Sequence, residues 1–285
     1  MVRIAAVGDL HARPGAAARL RPVYRRAVEV ADILLLAGDL TQDGGTDSAA
    51  EVCDLFGGLD LPVIAVLGNH DYDRGEETAF AEMLTDAGVT VLEGTATVVD
   101  TAGGKVGIAG VKGFGGGFAG YTVAKHCEEE MKAFARHAAT TAQALRQALR
   151  QALRHALGQL DVDLQVALTH YAPTRDTLAG EPLELYPFLG SHLLGAAIDG
   201  EPTSWAEHKT EDLHTTGTPN DEMGGGPPHH LVPGERQVRL ALHGHAHYGT
   251  EVGVTPAGTE VRNVAAPVIG APFAVYQLPE VVRIG

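Results

Sequence analysis

Three apolar runs open the chain, Val2–Val7, Ile33–Ala37 and Val63–Leu67, and each stops at a glycine, Gly8, Gly38 or Gly68. Runs this short and this apolar predict strands buried on both faces. Between them, Ala16–Val30 and Ser48–Leu59 have helical character, and Glu76–Ala87 predicts a third helix. The alternation reads as βαβαβ with a mostly parallel sheet. The pattern then changes. Val89–Leu92, Thr95–Asp100 and Lys105–Ala109 predict short strands in a meander. Leu164–Thr169 and Val238–Leu242 predict two more buried strands, and Gly249–Val254, Glu260–Val264 and Ala274–Leu278 predict an antiparallel tail. Two packed sheets with helices outside accommodate all of these.

Two segments stand apart. Val123–Leu157 lacks Gly and Pro, and Leu145, Leu149, Leu153 and Leu157 recur every four residues beside Arg146, Arg150 and Arg154. That spacing predicts a helix whose apolar stripe winds around its surface, packed on a sheet. From 200 to 236 the chain is rich in Gly, Pro, Thr, Glu and His and poor in aliphatic residues. We expect a flexible insertion there, within a single domain over 1–285. Its histidines, His208, His214, His229 and His230, are expected in solvated loop.

Composition narrows the classes. The net charge of −15 opposes nonspecific binding of nucleic acid. Two cysteines, Cys53 and Cys127, stand in unrelated contexts and predict neither disulfide nor zinc finger. No run of apolar residues is long enough for a membrane helix, and no leader precedes the first strand, so a cytoplasmic protein is expected.

Five short clusters carry candidate chemistry, each directly after a predicted strand. Gly8-Asp9-Leu10-His11 can aim a carboxylate and an imidazole at one point, although Asp-x-His alone is common. In Gly38-Asp39-Leu40-Thr41 the carboxylate can bridge two cations or cap a helix. Gly68-Asn69-His70-Asp71 offers an amide oxygen, a candidate acid in His70 and a carboxylate, Asp71, to orient it; a plain turn is the alternative. His170 follows a strand and is a ligand or a structural residue. His243-Gly244-His245-Ala246-His247 is the strongest cluster, because neutral imidazole is a common ligand for transition metals. In open α/β sheets, the carboxyl ends of strands are where sites assemble.

The ordered set resembles the calcineurin-like metallophosphoesterase superfamily, in the bacterial phosphodiesterase-like form with Gly-Asn-His-Asp. Protein Ser/Thr phosphatases differ, carrying Gly-Asn-His-Glu. The resemblance implies a four-layer α/β/β/α double sandwich. It implies one metal held by Asp9, His11, Asp39 and His247, and another held by Asp39, Asn69, His170 and His245, with Asp39 bridging. His243 stands outside the matching motif and is not expected to be a ligand. Mixed nitrogen and oxygen ligation suits two divalent or trivalent ions of Mn, Fe or Zn. The expected reaction is hydrolysis of a small phosphodiester by in-line attack of a metal-bridging hydroxide, with His70 and Asp71 as catalytic groups. A binding protein with a vestigial site and a nuclease are the competing readings. The run Gly113–Phe118 lacks the Gly-Lys-Ser/Thr of a phosphate loop, and Lys112 beside it is a candidate phosphate contact.

Overall fold

The computed structural model describes residues 1–118, 127–157, 162–203 and 238–284. Among these residues, twelve strands form two six-stranded sheets. The first sheet contains β1 (Val2–Val7), β2 (Ile33–Ala37), β3 (Val63–Val66) and β4 (Thr90–Val91), all parallel. The second contains β5 (Thr95–Thr101), β6 (Gly104–Val111), β7 (Leu164–Thr169), β8 (Leu240–His243), β9 (Val252–Val254) and β10 (Glu260–Asn263) in the order β5-β6-β7-β8-β10-β9. Strands β6, β7, β8 and β10 run parallel, and β5 and β9 are antiparallel edges. The chain then returns to the first sheet, where β11 (Ala274–Leu278) pairs antiparallel with β1 and β12 (Val282–Arg283) completes the edge.

This is the expected double sandwich with helices outside. Two details differ from the sequence reading. The predicted meander is split, because β4 adds to the first sheet and β5 starts the second. The predicted antiparallel tail is mixed, with β10 lying parallel to β8. Strand order is set by long-range pairing, which local pattern does not encode.

Alternation along the second sheet explains its place between two layers. Val106, Ile108, Val166, Leu168, Leu240 and Leu242 face the first sheet and join its core. Ala109, Val111, Ala167, Ala241 and Val261 face the other way. That second face is small, so helices can sit close to it. Helix α5 (Glu129–Leu157) lies there with Ala138, Ala142, Leu145, Ala148 and Leu149 buried. Gln165 Nε2 donates to the Leu149 carbonyl at 2.8 Å and ties sheet to helix. On the outer face of the first sheet, α1 (Ala16–Tyr24), α2 (Ala27–Val30), α3 (Thr46–Phe56) and α4 (Glu77–Asp86) bury Tyr24, Phe56 and Phe80. The expected insertion, apart from residues 200–203, and its four histidines lie outside the described residues.

Candidate metal centre

The parallel arrangement of β1, β2 and β3, and of β7 and β8, brings five carboxyl ends to one edge of the sandwich. Asp9 lies two residues beyond β1, and Asp39 two beyond β2. Asn69 lies three beyond β3, His170 follows β7 directly, and His245 lies two beyond β8. All the residues expected as ligands meet there. Asp9, His11 and His247 offer ligand atoms within 4.8 Å of one another, and so do Asp39, His170 and His245. A third grouping, His11, Asp39 and His70, links the two.

The backbone records the convergence. Among the described residues, only Asp9 (φ 59°), His11 (φ 45°), Asp39 (φ 48°) and His245 (φ 72°) have positive φ without being glycine. Left-handed backbone costs an ordinary residue roughly 1–2 kcal/mol, so such residues persist only where the surroundings hold them. Two glycines make room for the carboxylates. A Cβ on Gly68 would overlap the Asp39 carboxylate, and one on Gly244 would overlap that of Asp9.

Hydrogen bonds define which atoms face the centre. His170 Nδ1 lies 2.9 Å from the Ala37 carbonyl. A carbonyl only accepts, so Nδ1 carries the proton and Nε2 of the neutral ring has a lone pair. That Nε2 lies 2.9 Å from Asn69 Oδ1 and 3.3 Å from Asp39 Oδ1. With the ring neutral, Nε2, Asn69 Oδ1 and the buried Asp39 carboxylate are thus three acceptors facing one another. Such an arrangement calls for a cation, and the donor set fits Mn, Fe or Zn. His245 Nε2 donates to the Phe188 carbonyl at 3.2 Å and leaves Nδ1 free as a ligand atom. Its backbone N–H donates to both Asp9 oxygens, at 3.0 and 2.9 Å. His247 Nε2 lies 2.9 Å from Asp9 Oδ1 and 3.4 Å from His11 Nε2, and the buried His11 Nδ1 has no partner.

Electrostatics favour ligand forms. Burial pushes the His245 pKa down to about 3, with help from nearby His170, and burial also lowers that of His11. Both rings are therefore neutral. Burial opposes ionisation of Asp9, but the His247 hydrogen bond and the neighbouring imidazoles override it and lower its pKa. Burial raises the pKa of Asp39, and Asp9 adds to that rise, as expected of two carboxylates sharing a site without a cation. The hydrogen bond to Asp9 raises that of His247.

The third motif holds a surprise. Asp71 is fully buried and accepts hydrogen bonds from Leu40 N, Thr41 N, Thr41 Oγ1 and Gly68 N. It braces the second motif loop against the third, and no hydrogen bond joins it to the His70 ring. The carboxylate on His70 Nδ1 is that of Asp73, at 2.9 Å. His70 Nε2 points toward Asp39, 4.0 Å from Oδ2. The signal for Asp73 was local. His70–Tyr72 forms one turn of 3₁₀ helix, which places residues three apart on one face. His243 is buried away from the centre, with Nε2 on Thr177 Oγ1 at 2.8 Å. The run Gly113–Phe118 is no phosphate cradle, since Gly116 N and Gly117 N donate to Pro187 and Gly190 carbonyls.

Comparison with known proteins agrees with this geometry. The family model described as calcineurin-like phosphoesterase matches residues 2–249. No curated protein matches the sequence. Among solved structures, the fold is similar to that of phosphopantetheinyl hydrolase from Mycobacterium tuberculosis, with a TM-score of 0.52 and 16% identity over 93% of this chain and 89% of that one. A weaker likeness, with a TM-score of 0.47 and 10% identity, links 93% of this chain to 72% of GAP50, the anchor in the inner membrane complex of Plasmodium. Among the described residues, no helix is long and apolar enough to cross a membrane. The matched stretch runs from the first strand through the last histidine motif, and the chain belongs to the calcineurin-like phosphoesterases, metal-dependent hydrolases of phosphoester bonds.

Proposed function

We propose that the chain is a dinuclear phosphodiesterase acting on small substrates, with Asp9, His11, Asp39 and His247 holding one ion and Asp39, Asn69, His170 and His245 the other. The observation that carries it is the trio of facing acceptors, His170 Nε2, Asn69 Oδ1 and Asp39 Oδ1. A pair of bound cations supplies Lewis acidity toward phosphoryl oxygens and acidifies a water for in-line attack.

The remaining steps belong to the protein. The His70 backbone N–H donates to Asp39 Oδ1 at 2.9 Å and holds that carboxylate in place between the clusters. Asp73 accepts from His70 Nδ1 and keeps Nε2 facing the centre. From there His70 Nε2 delivers a proton to the departing oxygen or stabilises charge on it. Asp71 contributes by fixing the loops. The net charge of −15 favours a small ester over a long polyanion, although cations in the site reverse the sign locally.

The test is turnover by Mn²⁺-loaded protein on bis(p-nitrophenyl) phosphate, p-nitrophenyl phosphate and cyclic nucleotides. Hydrolysis of monoesters alone would sink the diesterase reading. On an ester with a poor leaving group, His70→Ala lowers turnover about 100-fold or more. Asp73→Ala moves it in the same direction by less. Full turnover in His70→Ala would remove His70 from the chemistry.

A further inference from the structure

One cation near the centre lacks an acceptor. Lys112 follows β6, and its carbonyl accepts from His170 N and Tyr171 N at 3.0 and 3.1 Å, which fixes it beside the fourth motif loop. Among the described residues its ammonium has no hydrogen-bond acceptor and no carboxylate within ion-pair distance; Glu93, which accepts the Lys112 backbone N–H at 3.4 Å, and Asp39 and Glu77 act on it only through space. It is instead surrounded by rings. Nζ lies 4.3 Å from the centroid of Tyr72, 5.8 Å from Phe114 and 5.9 Å from Tyr171. Tyr72 comes from the third motif loop, two residues after His70. Tyr171 comes from the fourth, and its ring packs 4.4 Å from that of His245. The ammonium therefore stands one aromatic ring away from the metal ligands, between the two loops that supply Asn69 and His170.

The aromatic wall continues past it. Phe114 packs on Tyr171 and on Phe134, and Phe134 packs on Phe188. Phe188 is 58% exposed, while its carbonyl accepts from His245. The three neighbouring π faces compensate a half-buried ammonium only in part. A hydrogen-bonded anion supplies the rest. In a chain of charge −15, a half-buried ammonium with no carboxylate in direct contact, beside a phosphoesterase centre, has a role an anionic substrate can fill.

We infer that Lys112, framed by Tyr72, Phe114 and Tyr171, is a substrate-binding residue that takes a phosphoryl oxygen of the ester. This rests on the phosphoesterase reading of the adjoining centre. The oxygen belongs either to the scissile phosphate or to a second phosphate further along the substrate, and the chemistry recognised is the same.

Amine acetylation of the Mn²⁺-loaded wild-type protein, followed residue by residue by peptide mass spectrometry, tests it without relying on turnover. Lys112 is expected to react when no anion is present, and to be protected several-fold by orthophosphate or pyrophosphate but not by chloride at equal ionic strength. Protection by both phosphates assigns the scissile group, and protection by pyrophosphate alone assigns a second one. Lys105 and Lys132, which pair with carboxylates elsewhere, serve as controls. A Lys112 that is inert without anion, or equally reactive with and without either phosphate, would overturn the inference. In kinetics, Lys112→Gln raises KM about 10-fold or more, with metal content unchanged, and Lys112→Arg restores most of it. An unchanged KM in Lys112→Gln would count against the role even if the enzyme hydrolyses esters well. Absence of any turnover in the wild type, with protection intact, would fault the phosphodiesterase reading and leave the anion site standing.

Discussion

The two halves of the metal centre are built differently. The cluster of Asp39, Asn69, His170 and His245 is the more closed, with Asp39 and His170 buried and Asn69 and His245 half-buried. His170 is fully buried, its tautomer is set by the Ala37 carbonyl, and His245 is held neutral by burial. The cluster of Asp9, His11 and His247 is more open, with both imidazoles only half-buried and His247 hydrogen-bonded to Asp9. The closed half is organised before any ion arrives. In the open half a side-chain hydrogen bond occupies the ligand atoms until an ion displaces it. The difference predicts unequal affinity, with the closed cluster filling first.

The most damaging way to break the comparison is at the shared residue. Asp39→Asn removes the carboxylate proposed to serve both ions. Loss of one outer partner of a metal site already costs about 10- to 100-fold. Turnover is therefore expected to fall by more than about 100-fold, and bound metal, measured by plasma mass spectrometry, to fall below two ions per chain. Normal rate with two ions retained would end the bridging assignment.

A second variant separates geometry from ligation. Asp71→Ala leaves the donors Leu40 N, Thr41 N, Thr41 Oγ1 and Gly68 N buried without their acceptor. The expected loss is about 3–5 kcal/mol of stability, read by denaturant unfolding of the metal-free protein. An unfolding midpoint equal to that of the wild type would show that the brace is dispensable.

The mildest test uses pH. His247 has a raised pKa because Asp9 favours its protonated form, so in the metal-free protein it adds stability below its unfolded pKa. That contribution is lost as pH rises through the folded value. Metal must displace the same proton. Affinity of the open cluster therefore climbs with pH up to the raised His247 pKa and levels beyond it. His245, at about 3, is already neutral and adds no such slope to the closed cluster. Calorimetric zinc titrations across roughly pH 5–8 resolve the two. Equal slopes would erase the distinction between the halves.

The candidate ligands were legible because each is a coordinating residue placed shortly after an apolar run, and parallel strands put such positions on one edge. The partner of His70 was not. Reading along the sequence favoured its neighbour Asp71, whereas a single 3₁₀ turn places Asp73 on the same face as His70 and sends Asp71 inward. The pairing of β4 with the first sheet was hidden for another reason. Two strands separated by a short loop ordinarily pair with one another, and here the chain crosses between sheets at Glu93-Gly94.

The four left-handed, non-glycine residues have a bearing on how such a protein changes over time. Glycine at position 9, 11, 39 or 245 would adopt the same backbone with less strain, so the chain would gain in conformational ease what it lost in coordination. Substitution of any one of them by glycine is therefore expected to ease the backbone while removing a candidate coordinating group. Aspartate and histidine in left-handed backbone at these positions mean that this chain carries strain where its candidate coordinating groups stand.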